Sequence, residues 1–248
     1  MKYARSWTDG NELFPRTFQD HQTEGSCDMG KLITVAGNLG AGKTTLTGLI
    51  CEQEGFTPYW ERPEEHPFQK DFTGDMHKWA LANQMEFLLY RCEQELRIRR
   101  DDQIAVMDGG FDQDFHVFTK NLYNKGYLIT DEFLICERFY NFVRSFLPPP
   151  DIIIRIIIDS PTLLQRRIKR VRKTVDQLFN PTEFVELELL LDGWLKGKVS
   201  SPILLFPFEH DLNDCTDEIE ELIKQIRDIM DTSSGQFSDG TAFPQKDI

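Results

Sequence analysis

The stretch Leu32-Ile-Thr-Val-Ala36-Gly37-Asn-Leu-Gly-Ala-Gly42-Lys43-Thr44 decides the fold. It begins as a short apolar run, continues as Gly-x4-Gly-Lys-[Ser/Thr], and opens a helical pattern over 43–54. Strand, glycine-rich turn and helix in that order predict a phosphate-binding loop. The glycines let backbone N–H groups converge on phosphate oxygens without Cβ obstruction, and the helix N-terminus adds partial positive charge. Lys43 is placed to reach the outer phosphates and Thr44 to offer its hydroxyl to Mg²⁺. Chance supplies such a match in about one chain of this length per hundred, and the flanking strand and helix patterns make the reading specific. The residues expected to hold the nucleotide are Gly37, Asn38, Leu39, Gly40, Ala41, Gly42, Lys43, Thr44 and Thr45.

Outward from this loop, short apolar runs at 56–60, 104–107, 152–158 and 203–206 alternate with helical patterns at 75–100, 112–124, 131–146, 160–173, 181–196 and 215–230. The run at 152–158 is almost continuously β-branched, as expected of a strand covered on both faces. The predicted class is therefore α/β: a parallel sheet with flanking helices. Pro161 and Pro181 suit the first turns of helices, and the prolines at 148–150 end one helix and lead into the buried strand. No internal repeat is present. Residues 1–30 and 231–248 lack a sustained period, which predicts a flexible extension and a disordered tail around one domain spanning 31–230.

Composition narrows the partners. The 248 residues are 40% hydrophobic, enough for a sizeable core, which excludes a mainly disordered chain. Lys+Arg 28 against Asp+Glu 41 gives 28 − 41 = −13, a charge that disfavours nucleic acid and anionic membrane surfaces. An anionic ligand must then be held by local cations. Cys27, Cys51, Cys92, Cys136 and Cys215 are odd in number and contain no Cys-x-x-Cys pair, so they read as reduced thiols. No apolar run approaches the roughly 20 residues of a membrane span, and the acidic N-terminal stretch lacks a signal-peptide profile. A cytoplasmic location is expected.

Carboxyl ends of strands in such sheets face the ligand crevice. The second strand pattern ends in Tyr59-Trp60-Glu61-Arg62-Pro63 and the third in Met107-Asp108-Gly109-Gly110. Glu61 is thus a candidate general base, and Asp108 a metal or water ligand beside the loop. A later helix pattern carries Arg166, Arg167, Lys169, Arg170, Arg172 and Lys173, a cluster able to clamp transferring phosphates. A solvated face or a nucleic-acid patch is the alternative reading of that cluster. On the helix pattern from 75, Gln84 and Arg91 lie two turns apart and project from one face, where an amide and a guanidinium could read a nucleobase edge.

Together these elements resemble the deoxynucleoside kinase family over residues 31–230. The family order is phosphate loop, a Glu-Pro-like strand end, Trp-x4-Gln-x6-Arg, a Glu/Asp-Arg-Ser motif and an arginine-rich lid. Here it is matched by 37–44, Glu61-Arg62-Pro63, Trp79…Gln84…Arg91, Asp108-Gly109-Gly110 and Arg166…Arg170-Val171-Arg172. The resemblance implies a five-stranded parallel sheet with helices on both faces, usually a helix-packed homodimer. It implies Mg²⁺-assisted transfer of the γ-phosphoryl group of ATP to the 5′-hydroxyl of a deoxynucleoside, a step of nucleotide salvage. By carry-over, Glu61 takes the hydroxyl proton; Thr44 and Asp108, with Glu61, hold Mg²⁺; Lys43, Arg166, Arg170 and Arg172 act on the phosphates; and Gln84, Arg91 and Asp114 contact the nucleobase.

The chain departs from the family pattern at three places. Gly109 replaces the motif arginine, a tyrosine expected near the sugar 3′-hydroxyl falls at Thr73, and the acid expected beyond the lid falls at Val175, with Asp176 adjacent. Arg62 is a candidate to supply the missing cation, although strand alternation points it away from Glu61. Trp60, Phe68, Phe72, Phe111 and Phe115 could wall an aromatic pocket or fill the core. Two competing readings are a catalytically silent scaffold of the same fold and a nucleoside-monophosphate kinase. The retained Lys43, Thr44, Glu61 and lid arginines weigh against the first, and the absent arginine at 109 against the second.

Overall fold

The computed structural model describes residues 29–61, 66–158, 181–197, 199–207 and 215–235. Its strands are β1 (Lys31–Ala36), β2 (Thr57–Tyr59), β3 (Ile104–Asp108), β4 (Ile152–Ile157) and β5 (Ile203–Pro207). They form one parallel sheet in the order β2-β3-β1-β4-β5, so the strand that feeds the phosphate loop is central. The helices are α1 (Lys43–Glu54), α2 (Gln69–Gly74), α3 (Met76–Arg100), α4 (Phe111–Gln113), α5 (Lys120–Asn124), α6 (Thr130–Arg144), α7 (Pro181–Leu195) and α8 (Thr216–Gly235).

Strand alternation sorts β1 between two cores. Ile33 and Val35 pack with Leu46 and Ile50 of α1 and with Ile219, Leu222 and Ile226 of α8. On the other face Leu32 meets Ile98 of α3, and Ala36 meets Val117, Leu187 and Leu191. Both faces are therefore covered by helices, which is why the strands carry apolar residues on both sides. The register pairs Val35 with Asp108 and with Ile154. Asp108 and the loop after Ala36 consequently leave the sheet at the same edge. Arg144 docks α6 by bonding Glu95 of α3 at 2.7 and 3.0 Å and Asp112 of α4 at 2.8 and 2.9 Å.

Four boundaries differ from expectation. The segment predicted as one helix over 112–124 is α4, a π-helical turn at Asp114–Thr119, and α5; such turns are frequent at functional sites. The short α2 had no sequence signal, because six residues give too few positions for a period. β2 is confined to three residues. The last helix runs to Gly235, past the expected end at residue 230. The expected lid helix at 160–173, and most of the expected extension and tail, lie outside the described residues.

Burial pushes the Cys51, Cys92 and Cys136 thiols up to about 11, and with buried Cys215 they are unbridged. The spacing suggested reduced thiols, and the three pushed up this far stay protonated near neutral pH. Among the described residues no helix is long and apolar enough to cross a membrane.

Candidate active site

The loop between β1 and α1 turns through two left-handed glycines, Gly40 (φ 74°) and Gly42 (φ 97°). Only glycine takes such angles without strain. At Gly37 the reason for glycine is proximity: a Cβ would lie 3.3 Å from the Cβ atoms of Ala41 and Ile156. Side chains from distant elements fix the loop. Gly37 donates its N–H to Gln113 Oε1 at 3.1 Å, and Gln113 Nε2 donates to the Gly37 carbonyl at 3.0 Å. Asn38 Nδ2 donates to the Phe184 carbonyl (2.9 Å) and to Glu188 Oε2 (3.0 Å). Glu188 of α7 also pairs with Arg155 of β4.

Lys43 Nζ rests on the carbonyls of Gly37 and Asn38 at 3.2 Å each. The Thr44 hydroxyl donates to Asp108 Oδ2 at 2.5 Å. These two oxygens are a fitting donor pair for Mg²⁺, which is bound by one or two protein oxygens together with phosphate and water rather than by a dense cage. Among the described residues no group of three or more His, Cys, Asp or Glu side chains converges. Glu61, the third residue expected at the metal, accepts a hydrogen bond from Arg91.

Beside the loop is a cavity of about 190 Å³. Lys43, Glu61, Gly109 and Arg91 are part of its wall, with Gln84 and Asp114. Phe72, Met76, Phe87 and Phe118 supply apolar surface. Arg91 Nε donates to Asp114 Oδ2 at 3.1 Å, Nη2 to Glu61 Oε2 at 3.1 Å, and Nη1 to Gln94 Oε1 at 3.1 Å. Gln84 Nε2 donates to the Asp114 carbonyl at 3.2 Å. Burial works against the Arg91 charge, but Asp114, Glu61 and Asp108 more than offset it and hold the guanidinium above its ordinary value. Burial pushes the Asp114 carboxyl up to about 6; Arg91 pulls it down and Glu61 adds to the rise.

Gly109 lies beside Arg91. Its φ is +81°, and a Cβ there would lie 3.1 Å from Arg91 Nη2. The guanidinium of Arg91 occupies the space beside position 109 and provides the cation at Glu61. Arg62, the sequence candidate for that role, lies outside the described residues, as do Arg166, Arg170, Arg172, Val175 and Asp176.

A family model described as deoxynucleoside kinase matches residues 33–231. The chain belongs to the deoxynucleoside kinase family. It is a phosphotransferase whose chemistry is phosphorylation of nucleosides. It is 26% identical over 202 residues to the deoxyadenosine/deoxycytidine kinase of Bacillus subtilis (strain 168), covering 80% of this chain and 93% of that one. It is 29% identical over 140 residues to the deoxyguanosine kinase of the same organism, covering 56% and 67%. The fold matches deoxyadenosine kinase from M. mycoides, solved with dCMP and a flexible dCDP, at a TM-score of 0.66 and 22% identity over 79% of this chain and 99% of that one.

Within this family frame, the structure brings together Lys43, Glu61, Gln84, Arg91 and Asp114 at one cavity, with Thr44 and Asp108 paired at its loop. Of the aromatic candidates only Phe72 reaches the cavity. Phe111 and Phe115 pack in the core with Leu88 and Cys136, Phe68 stacks on Trp79, and Trp60 gives its carbonyl to Tyr90 and Gln94. Thr73 does not replace the expected tyrosine: its hydroxyl donates to the Lys70 carbonyl at 2.7 Å, away from the cavity. Sequence reasoning missed Gln69, Asn83, Phe87, Gln113, Phe118 and Glu183, all of which line the cavity. For Asn83 and Phe87 a signal was present, since both share the helical arc of Met76 and Arg91.

Proposed function

We propose that this chain transfers the γ-phosphoryl group of ATP to the 5′-hydroxyl of a deoxynucleoside. The observation that carries this reading is that Glu61 and the loop lysine line the same cavity as Gln84, Arg91 and Asp114. One end of the acceptor can thus lie at a carboxylate next to the phosphate loop while the other meets an amide and a buried ion pair. Glu61 accepts the hydroxyl proton as that oxygen bonds to the γ-phosphorus. The bridging oxygen departs with ADP, keeping the electrons of the broken P–O bond.

The other residues position and neutralise. Lys43 moves from its two carbonyls to the outer phosphate oxygens, the loop amides hold the chain of phosphates, and Arg166, Arg170 and Arg172 close over them. Thr44 and Asp108 hold Mg²⁺, which when bound offsets phosphate charge. Gln84, Arg91 and Asp114 orient the base. An acceptor that already bears a phosphate is disfavoured: among the described cavity residues, Arg91 is paired with Glu61 and Asp114, and Lys125 with Glu183 and Glu186.

We further propose a homodimer. Ile135 and Phe142 of α6 lie seven residues apart on one exposed face, and Leu134, Phe146 and Leu89 of α3 extend the apolar surface. The experiment that tests the catalytic reading is a screen of the four deoxynucleosides and their monophosphates with ATP and Mg²⁺. Product from nucleosides is expected; product from monophosphates alone would contradict it.

A further inference from the structure

The apolar run of β4 is interrupted by a charge. Arg155 stands among the isoleucines of 152–157, is 3% exposed, and takes no part in the chemistry proposed above. The register sets it opposite Ala36, the residue before the phosphate loop. A buried guanidinium is costly unless a carboxylate meets it. Arg155 pairs with Glu188 of α7, and Asp192 Oδ1 lies 3.5 Å away. Glu188 divides its two oxygens: Oε1 accepts from Arg155 Nη2, and Oε2 accepts from Asn38 Nδ2 at 3.0 Å.

The second hydrogen of the Asn38 amide goes to the Phe184 carbonyl at 2.9 Å, and Oδ1 accepts the Leu39 N–H at 2.8 Å. With both hydrogens and the side-chain oxygen engaged, the Asn38 side chain is held in one orientation. Its main-chain carbonyl in turn accepts from Lys43 Nζ at 3.2 Å. A connected series of contacts thus runs from the interior of the sheet to the loop lysine. Resting on the reading of ATP as phosphoryl donor, we propose that Arg155 and Glu188 are positioning residues for the nucleotide. Arg155 fixes Glu188, Glu188 fixes Asn38, and Asn38 sets the loop in the shape that receives phosphates. Asn38, Arg155 and Glu188 are all absent from the lining of the acceptor cavity, so the effect falls on nucleotide affinity and spares the acceptor.

The test measures ADP binding with Mg²⁺ by isothermal titration calorimetry, and acceptor KM by initial rates. The full-length proteins compared are wild type, Arg155→Met/Glu188→Leu, Asn38→Ala, and the triple variant. Replacing the buried pair by apolar residues of like size should leave Tm close to that of wild type. The ADP Kd should rise about tenfold in Arg155→Met/Glu188→Leu and in Asn38→Ala, with acceptor KM within about twofold. Because the residues act through one line of contacts, the triple variant should bind ADP no more weakly than Asn38→Ala. Glu188→Gln carries the test if the double variant fails to fold: its single amide oxygen cannot serve both Arg155 and Asn38, and the ADP Kd should rise by a similar factor. An unchanged Kd in the folded variants, a rise of about a hundredfold in the triple variant, or an acceptor KM that rises in step with the ADP Kd overturns the proposal alone. Wild-type protein that binds no ADP overturns the donor reading and this inference with it.

Discussion

Arg91 bonds Glu61 through Nη2 and Asp114 through Nε, each at 3.1 Å, so one buried cation joins the carboxylate beside the phosphate loop to the carboxylate deeper in the pocket. Arg91 is 1% exposed, whereas the Glu61 side chain is 41% exposed. The pairing holds the proposed base by its inner oxygen and leaves part of the carboxylate open to the cavity. It also makes the two ends of the acceptor site electrostatically dependent on each other.

Removing that cation should be costly. Arg91→Met strands Asp114 in the interior and is expected to destabilise the fold by about 2–4 kcal/mol at pH 8, lowering Tm by roughly 10 °C. The double variant Arg91→Met/Asp114→Leu should recover most of the loss. Thermal unfolding of the two variants checks this.

Gly109 lies close against the Arg91 guanidinium. Gly109→Ala places a Cβ 3.1 Å from Nη2 at a φ of +81°, a backbone strain of about 1–2 kcal/mol for a non-glycine residue. The guanidinium must give way slightly beside Glu61, and kcat should fall by about tenfold. Gly109→Arg should be no better. Steady-state kinetics with a melting curve separate the two effects.

Asp114 should leave a mark on pH dependence. Its folded pKa of about 6 lies above its ordinary value, chiefly through burial. The stability it contributes is therefore fully present below about pH 4, and is lost as pH rises through about 6. Above that, the charged form pairs with Arg91. Asp114→Asn should flatten the stability profile between pH 4 and 6 and remove an apparent pKa near 6 from kcat/KM. Denaturant unfolding across pH and a pH–rate profile read the two outcomes.

The proposed dimer face predicts a soluble-mass change. Phe142→Glu places a charge on a residue that is 65% exposed in the isolated chain, so it should not unfold the protomer. It is expected to halve the molar mass measured by sedimentation equilibrium. A monomeric wild type would contradict the dimer.

The sheet and the loop were legible because their signals are local. Apolar runs of four to seven residues mark the strands, and the glycine pattern sits at the junction of a strand and a helix. Lys43 and Thr44 followed from the glycine loop that opens α1, and Glu61 and Asp108 from their places at strand ends. The Arg91–Glu61 pair was not legible, because it joins residues thirty apart with no local pattern linking them. Gln113 carried no motif; its role arises from its two bonds to Gly37 of the loop. The π-helical turn at Asp114–Thr119 was hidden because its residues are equally compatible with an α-helical period.

The account stands most directly on Glu61. With saturating ATP, Mg²⁺ and the best deoxynucleoside, single-turnover phosphorylation by Glu61→Gln should be slower than wild type by about 10²–10⁴-fold, with acceptor affinity changed only a few-fold. A Glu61→Gln enzyme that turns over at the wild-type rate would contradict it.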